Sequence, residues 1–166
     1  MYLLDANTIM EAHGTFYPIE RIPQFWEWLQ LEGEHGRVKM PLEIYDEFEG
    51  KYGPHVEWIN SQEVRAALLL EEEPDPSLVQ QAIEQGYQGL DAAFDDIQHT
   101  KYGKDPFLVA YALVEPTERV VVTREVSKRT KRLGNTKLPD ACDDCGIECI
   151  NDFELYSRLD FNLVGR

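Results

Sequence analysis

The segment Phe107-Leu108-Val109-Ala110-Tyr111-Ala112-Leu113-Val114 has no polar face. A helix that is apolar all round belongs in the interior of a domain. Asp105-Pro106 precedes it and predicts a helix start, with Asp105 at the N-cap and Pro106 at the first helical position. Soon after come Val120-Val121-Val122-Thr123, a strand pattern without alternation. Such a strand is covered on both faces. A buried helix beside a doubly covered strand requires a layered domain rather than a bundle or an open sheet.

The flanking elements agree. Residues 2–4 are a short apolar run ending at Asp5, read as a first strand. Pro23–Glu34 carries Phe25, Trp26, Trp28, Leu29 and Leu31 and predicts a helix, with Gly33 and Gly36 near its end. Residues 37–40 form a brief strand. A helix is predicted over 41–52, with Pro41 at its first position and Ile44, Tyr45, Phe48 and Tyr52 at helical spacing. Gly53-Pro54 breaks it, and residues 56–60 return to helix. Residues 64–70 fit strand or helix equally. A helical stretch capped by Asp75 or Ser77 runs to about His99, interrupted at Gly86 and Gly89. Residues 147–150 form a last strand and 152–159 a terminal helix. This alternation predicts an α/β fold with a mainly parallel sheet. Its sites belong at the carboxyl ends of the strands, near a topological switch point.

The chain has 166 residues, which suits one domain spanning 1–166, and 43% of them are hydrophobic, enough for a core. No apolar run approaches the roughly 20 residues of a membrane span. The opening residues carry no basic segment followed by a long apolar one, so the cytoplasm is the expected compartment. The net charge of −15 argues against binding nucleic acid through the surface as a whole. One segment runs the other way: residues 119–137 hold Arg119, Arg124, Lys128, Arg129, Lys131, Arg132 and Lys137. It is a solvated loop or a local phosphate track. Cys142, Cys145 and Cys149 cluster without a nearby histidine. Structural zinc sites take four ligands, so free thiols are expected.

The acids at the predicted carboxyl edge carry the chemistry. Asp5 ends the first strand, and Asn7 is placed to hydrogen-bond to it. An Asx turn explains the pair equally well. Helix 41–52 offers Glu43, Asp46, Glu47 and Glu49. Glu47 and Glu49 flank its apolar stripe on opposite sides, and the helical wheel does not choose between them. Asp105 heads the central helix. Glu125 follows the 120–123 strand. Phosphodiester cleavage needs an ionised water and a neutralised transition state, which divalent cations on carboxylates supply. Magnesium prefers oxygen ligands.

Taken in order, these segments resemble the PIN-domain family over roughly residues 1–155. Tyr2-Leu3-Leu4-Asp5-Ala6-Asn7 is similar to its opening strand and first acid. Pro41-Leu42-Glu43-Ile44-Tyr45-Asp46-Glu47-Phe48 is similar to its second motif and puts Glu47 on the acidic position. Asp105-Pro106-Phe107-Leu108-Val109-Ala110-Tyr111-Ala112 resembles the third. Val121-Val122-Thr123-Arg124-Glu125 resembles the fourth, with Glu125 where Asp is commoner. Lys137-Leu138-Pro139-Asp140-Ala141-Cys142 resembles a motif of a stand-alone, toxin-like branch, in which Asp140 takes or shares the fourth acidic role. The resemblance implies a three-layer α/β/α sandwich and a magnesium- or manganese-dependent endoribonuclease. Asp5, Glu47, Asp105 and Asp140 would hold metal, with Glu125 also catalytic and Asn7 and Thr123 in support. Arg124, Lys128 and Arg129 would contact RNA. The partners implied are an RNA substrate, an antitoxin protein that masks the site, and a second copy of the chain. Two rival classes stand beside this. One is an inactive acidic α/β interaction module, favoured by net charge. The other is a phosphatase of the haloacid-dehalogenase type, whose second Asp is here Asn7.

Overall fold

The computed structural model describes residues 1–87 and 103–163. Its centre is a four-stranded, all-parallel sheet in the order β2-β1-β3-β4. The strands are β1 (Tyr2–Leu4), β2 (Val38–Lys39), β3 (Val120–Val122) and β4 (Cys149–Ile150). Tyr2 pairs with Val38 on one side and Val120 on the other; Val121 pairs with Cys149. The chain leaves β1 for β2 in one direction and later reaches β3 in the other. Right-handed crossovers then place the connecting helices on opposite faces. The fold is an α/β/α sandwich, and its switch point lies between the carboxyl ends of β1 and β3.

One layer contains α1 (Ala6–Glu11), α2 (Pro23–Glu34) and α9 (Asp152–Arg158). The rings of Tyr17, Phe25 and Tyr156 join it, with Tyr17 stacked on Phe25 at 4.3 Å. The opposite layer contains α6 (Pro76–Gly86), α7 (Asp105–Leu113) and α8 (Leu138–Asp144), which pack on one another. Between α2 and α6 lie α3 (Leu42–Tyr45), α4 (Pro54–Ile59) and α5 (Gln62–Leu68). As its composition requires, α7 is central: Leu108, Val109, Ala110, Tyr111 and Ala112 are all buried. Val121 and Val122 of β3 are fully covered. Burial of such side chains contributes roughly 1.5–3 kcal/mol each.

Several expectations are corrected by packing. Helix 41–52 is shorter: Pro41 is the N-cap of α3, a 3-10 turn at Asp46–Phe48 follows, and Gly50 turns away with φ +73°. Gly33 does lie near the end of α2, where a Cβ would sit 2.6 Å from Leu68 Cδ2 of α5. The ambiguous 64–70 segment is helix through Leu68, after which Leu69 bridges to Met40. The segment between Glu11 and Phe16 is a π-turn, and α1 and α8 are helices that periodicity did not announce. The stretch predicted to run through Gly89 to His99 lies largely outside the described residues.

Candidate metal centre

Asp5 follows β1 and caps α1, so the turn reading and the site reading hold together. Asn7 N–H reaches its Oδ1 at 3.4 Å. Its Oδ2 accepts from Asn7 Nδ2 at 2.5 Å and from Thr123 Oγ1 at 2.6 Å. Asn7 also receives the Arg124 N–H at 2.9 Å, and Thr123 Oγ1 receives the Glu125 N–H at 3.1 Å. Asn7 and Thr123 thus tie the ends of β1 and β3 together around one carboxylate. Asp5 is 6% exposed. Burial raises its pKa, the Thr123 and Asn7 hydrogen bonds oppose the rise, and Glu125 adds to it.

Asp105 differs from its expected role. The helix begins at Asp105 itself, Lys104 is the N-cap, and no side chain caps the helix. Among the described residues no hydrogen bond or ion pair reaches the Asp105 carboxylate. Burial lifts its pKa well above the ordinary range, and Asp5, Glu125 and Glu47 lift it further, while Lys137 opposes. The carboxylate opens on a cavity of about 290 Å³ lined also by Glu125, Lys131 and Lys137. Buried Tyr87 stands beside it: burial and then the Asp105 charge hold its phenol well above the usual value.

Glu47, in the 3-10 turn after α3, is half-buried. Burial raises its pKa, Asp5 raises it further, and Lys51 and Lys104 pull it down. Glu49 is exposed and lines a separate cavity with Lys51 and Arg65. The fold therefore makes the choice that the helical wheel left open, and puts Glu47 on the Asp5 side. Glu125 is held by Lys137 Nζ at 2.8 Å and the Leu138 N–H at 2.9 Å. Its charge reaches both Asp5 and Asp105.

Asp140 is not brought to this group. It is 3% exposed in the first turn of α8. Its oxygens accept from Ser127 Oγ at 2.5 Å and the Lys128 N–H at 2.8 Å, with Arg129 Nε at 3.4 Å. It is a clamp on the 127–129 loop. The structure therefore holds Asp140 apart from Asp5 and Asp105, with its oxygens taken by donors of the 127–129 loop.

The basic segment is also sorted by its partners. Arg124 is paired with buried Asp152 at 2.7 Å and lies over the rings of Phe16 and Phe153. Arg129 is bound by Asp140, Asp143 and Asp144. Both guanidinium groups, expected as phosphate contacts, are thus ion-paired within the fold. Lys128, Lys131 and Arg132 are exposed, and among the described residues no carboxylate pairs with their side chains. The sequence places Lys137 in the basic segment and at the head of the Lys137–Cys142 motif. Its role beside Glu125 and Asp105 is a tertiary one that spacing does not carry. The three cysteines are free thiols. A hydrogen bond with Cys149 and burial raise the Cys142 pKa, and burial pushes Cys145 up to about 11.

The acids fit a divalent cation by their chemistry. Buried like charges raise one another's pKa, and the two ways out are protonation or a cation. Asp5 and Asp105 supply hard oxygens, with Glu47 and Glu125 at their flanks. As placed, no three His, Cys, Asp or Glu side chains among the described residues close round a single point.

Asp5 ends β1 at the switch point of a parallel sheet, and Glu125, which follows β3, lines a cavity with Asp105. The chain belongs to the family described as Domain of unknown function (DUF4411), whose model matches residues 2–163. No curated protein matches the chain, and no solved structure does either.

Proposed function

We propose that the protein is a metal-dependent nuclease of the PIN type that hydrolyses phosphodiester bonds in RNA. One observation carries this reading: the Asp105 carboxylate heads a buried helix, has no hydrogen-bond or ion-pair partner among the described residues, and lines a cavity together with Glu125. A fold keeps such a group only with a compensating role. Magnesium or manganese would be held by Asp5 and Asp105, with Glu47 and Glu125 binding directly or through water. The ion would supply an ionised water and neutralise charge building on the phosphate. Asn7 and Thr123 fix the Asp5 carboxylate, as outer-shell partners do. The 290 Å³ cavity beside Asp105, edged by Lys131 and Lys137, leaves room for a phosphate. An antitoxin that masks this site would do so with a basic side chain set among the acids.

The rival interaction module draws support from a specific fact: among the described residues no three ligands close on one point. Titration separates the two readings. The nuclease binds manganese stoichiometrically, cleaves single-stranded RNA, stops in chelator and resumes with magnesium or manganese. A folded Asp5→Asn variant does neither. No manganese site and no cleavage would leave the interaction module standing.

A further inference from the structure

A second cavity of about 360 Å³ opens beside the acids, at the carboxyl ends of β3 and β4. Its floor includes Thr123 and Glu125, the residues that border the carboxylate site. Its walls include Val126, Ile150 and Phe153, and its polar edge Ser127 and Asn151. Phe153 is 47% exposed, and Val126 is 79% exposed. Both line the cavity together, so its apolar wall is open to an occupant.

The Phe153 ring is held in place. The Arg124 guanidinium lies 5.2 Å from its centroid and 4.9 Å from that of Phe16, and Asp152 anchors the same guanidinium. Phe16 meets Phe153 edge-on at 5.1 Å. A ring fixed in this way loses little entropy on stacking with a ligand. Apolar walls with a polar edge suit a flat heteroaromatic ring. Lys128, next in the chain to the cavity-lining Ser127, is an exposed cation of the same loop.

We infer that this cavity is a nucleobase subsite, and that the base it takes is splayed out of a single strand. The inference rests on the nuclease reading for where the scissile phosphate lies: a phosphate at the acids puts an adjoining base at Phe153. A base stacked and paired within a duplex cannot enter, so the substrate is single-stranded. Stacking on aromatic rings is tolerant of base identity, so the subsite selects strandedness more than sequence.

The test is binding in the full chain carrying Asp5→Asn, which keeps the strand uncut without depending on a bound ion. The probes are a fluorescein-labelled single-stranded RNA of mixed sequence and the same strand made abasic. Phe153→Leu keeps apolar volume and removes the π-face. It weakens binding of the intact strand about tenfold and leaves the abasic strand unchanged. Phe153→Trp retains affinity, and its fluorescence is quenched by the intact strand alone. Equal affinity for the two strands overturns the inference, as does failure of both to bind; the cavity would then suit a side chain of a partner protein. Loss of fold in Phe153→Leu is excluded by an unchanged affinity for the abasic strand and by quenching in Phe153→Trp. Failure of the nuclease reading looks different: no cleavage by the unaltered chain, with base-dependent binding intact.

Discussion

Asp105 and Asp140 occupy matching places and have opposite fates. Each sits in the first turn of a helix beside a proline, and the two helices, α7 and α8, pack together. Asp140 accepts from a hydroxyl and a backbone N–H and meets a guanidinium, all from residues 127–129. Asp105 meets none of these and faces three acids. The same residue type in the same local setting is a fastener in one case and an unmet charge in the other. What separates them is the loop each faces, not the helix each heads.

The sharpest break of this contrast comes from Asp105→Asn. Loss of a ligand should reduce cleavage by more than the roughly 10–100-fold typical of outer-shell changes. The same substitution should raise the melting temperature of the metal-free protein at neutral pH. The sign follows from the raised pKa. Between the ordinary and the raised value the folded state binds more protons than the unfolded one, so stability falls as pH rises through that window. Asn carries no such penalty, and its advantage therefore grows with pH and vanishes below the ordinary carboxylate range. Calorimetry of both proteins in chelator across mild acid to neutral pH measures it. Added manganese should reverse the order at neutral pH, since only the unaltered protein gains from the ion.

Asp140→Ala probes the other side. It removes charge-assisted hydrogen bonds and strands buried donors, at a cost of about 2–3 kcal/mol. That corresponds to a fall in melting temperature of about 5–10 °C for a chain of this size. Manganese affinity, read by isothermal titration, should stay as it was. A large loss of metal binding without loss of stability would return Asp140 to the site.

The smallest effect separates the cations by the same logic. Removing Lys128 or Lys131 should flatten the salt dependence of RNA binding by about 0.7 in log–log slope per charge for a single strand. Arg129→Ala should change the slope less, because Asp140, Asp143 and Asp144 already neutralise it. Equal slopes for the three variants would show that pairing does not sort these residues.

The sequence carried the parts of the fold that announce themselves locally. Val120–Val122 has no alternation and is the covered strand; Pro23–Glu34 has a helical stripe and is the helix with those ends. Asp5 was legible as a strand-end acid, and its turn and site readings proved compatible. The remainder depends on contacts far apart in the chain. Glu47 differs from Glu49 only through a 3-10 turn that the wheel assumed was α-helix. Asp140 resembles a ligand until Ser127 and Lys128 fold onto it. The α8 helix, Leu138–Asp144, is only seven residues long, with Pro139 and three acids, too short for periodicity to show. Gly86 gains meaning only against Ala141, whose Cβ would lie 3.0 Å from any added methyl.

The position of β1 between β2 and β3 also governs when the site comes into being. The first strand made is a central one, and its partner on the β3 side begins at Val120. The hydrogen bond from Thr123 to Asp5 spans 118 positions of the chain. Closing so long a loop is slow, and high contact order delays folding. During synthesis β1 must wait with one edge open until β3 arrives, the interval when pairing with other chains is a hazard. The carboxylate pocket therefore has no intermediate form. It is absent from the nascent chain and appears in the step that completes the sheet.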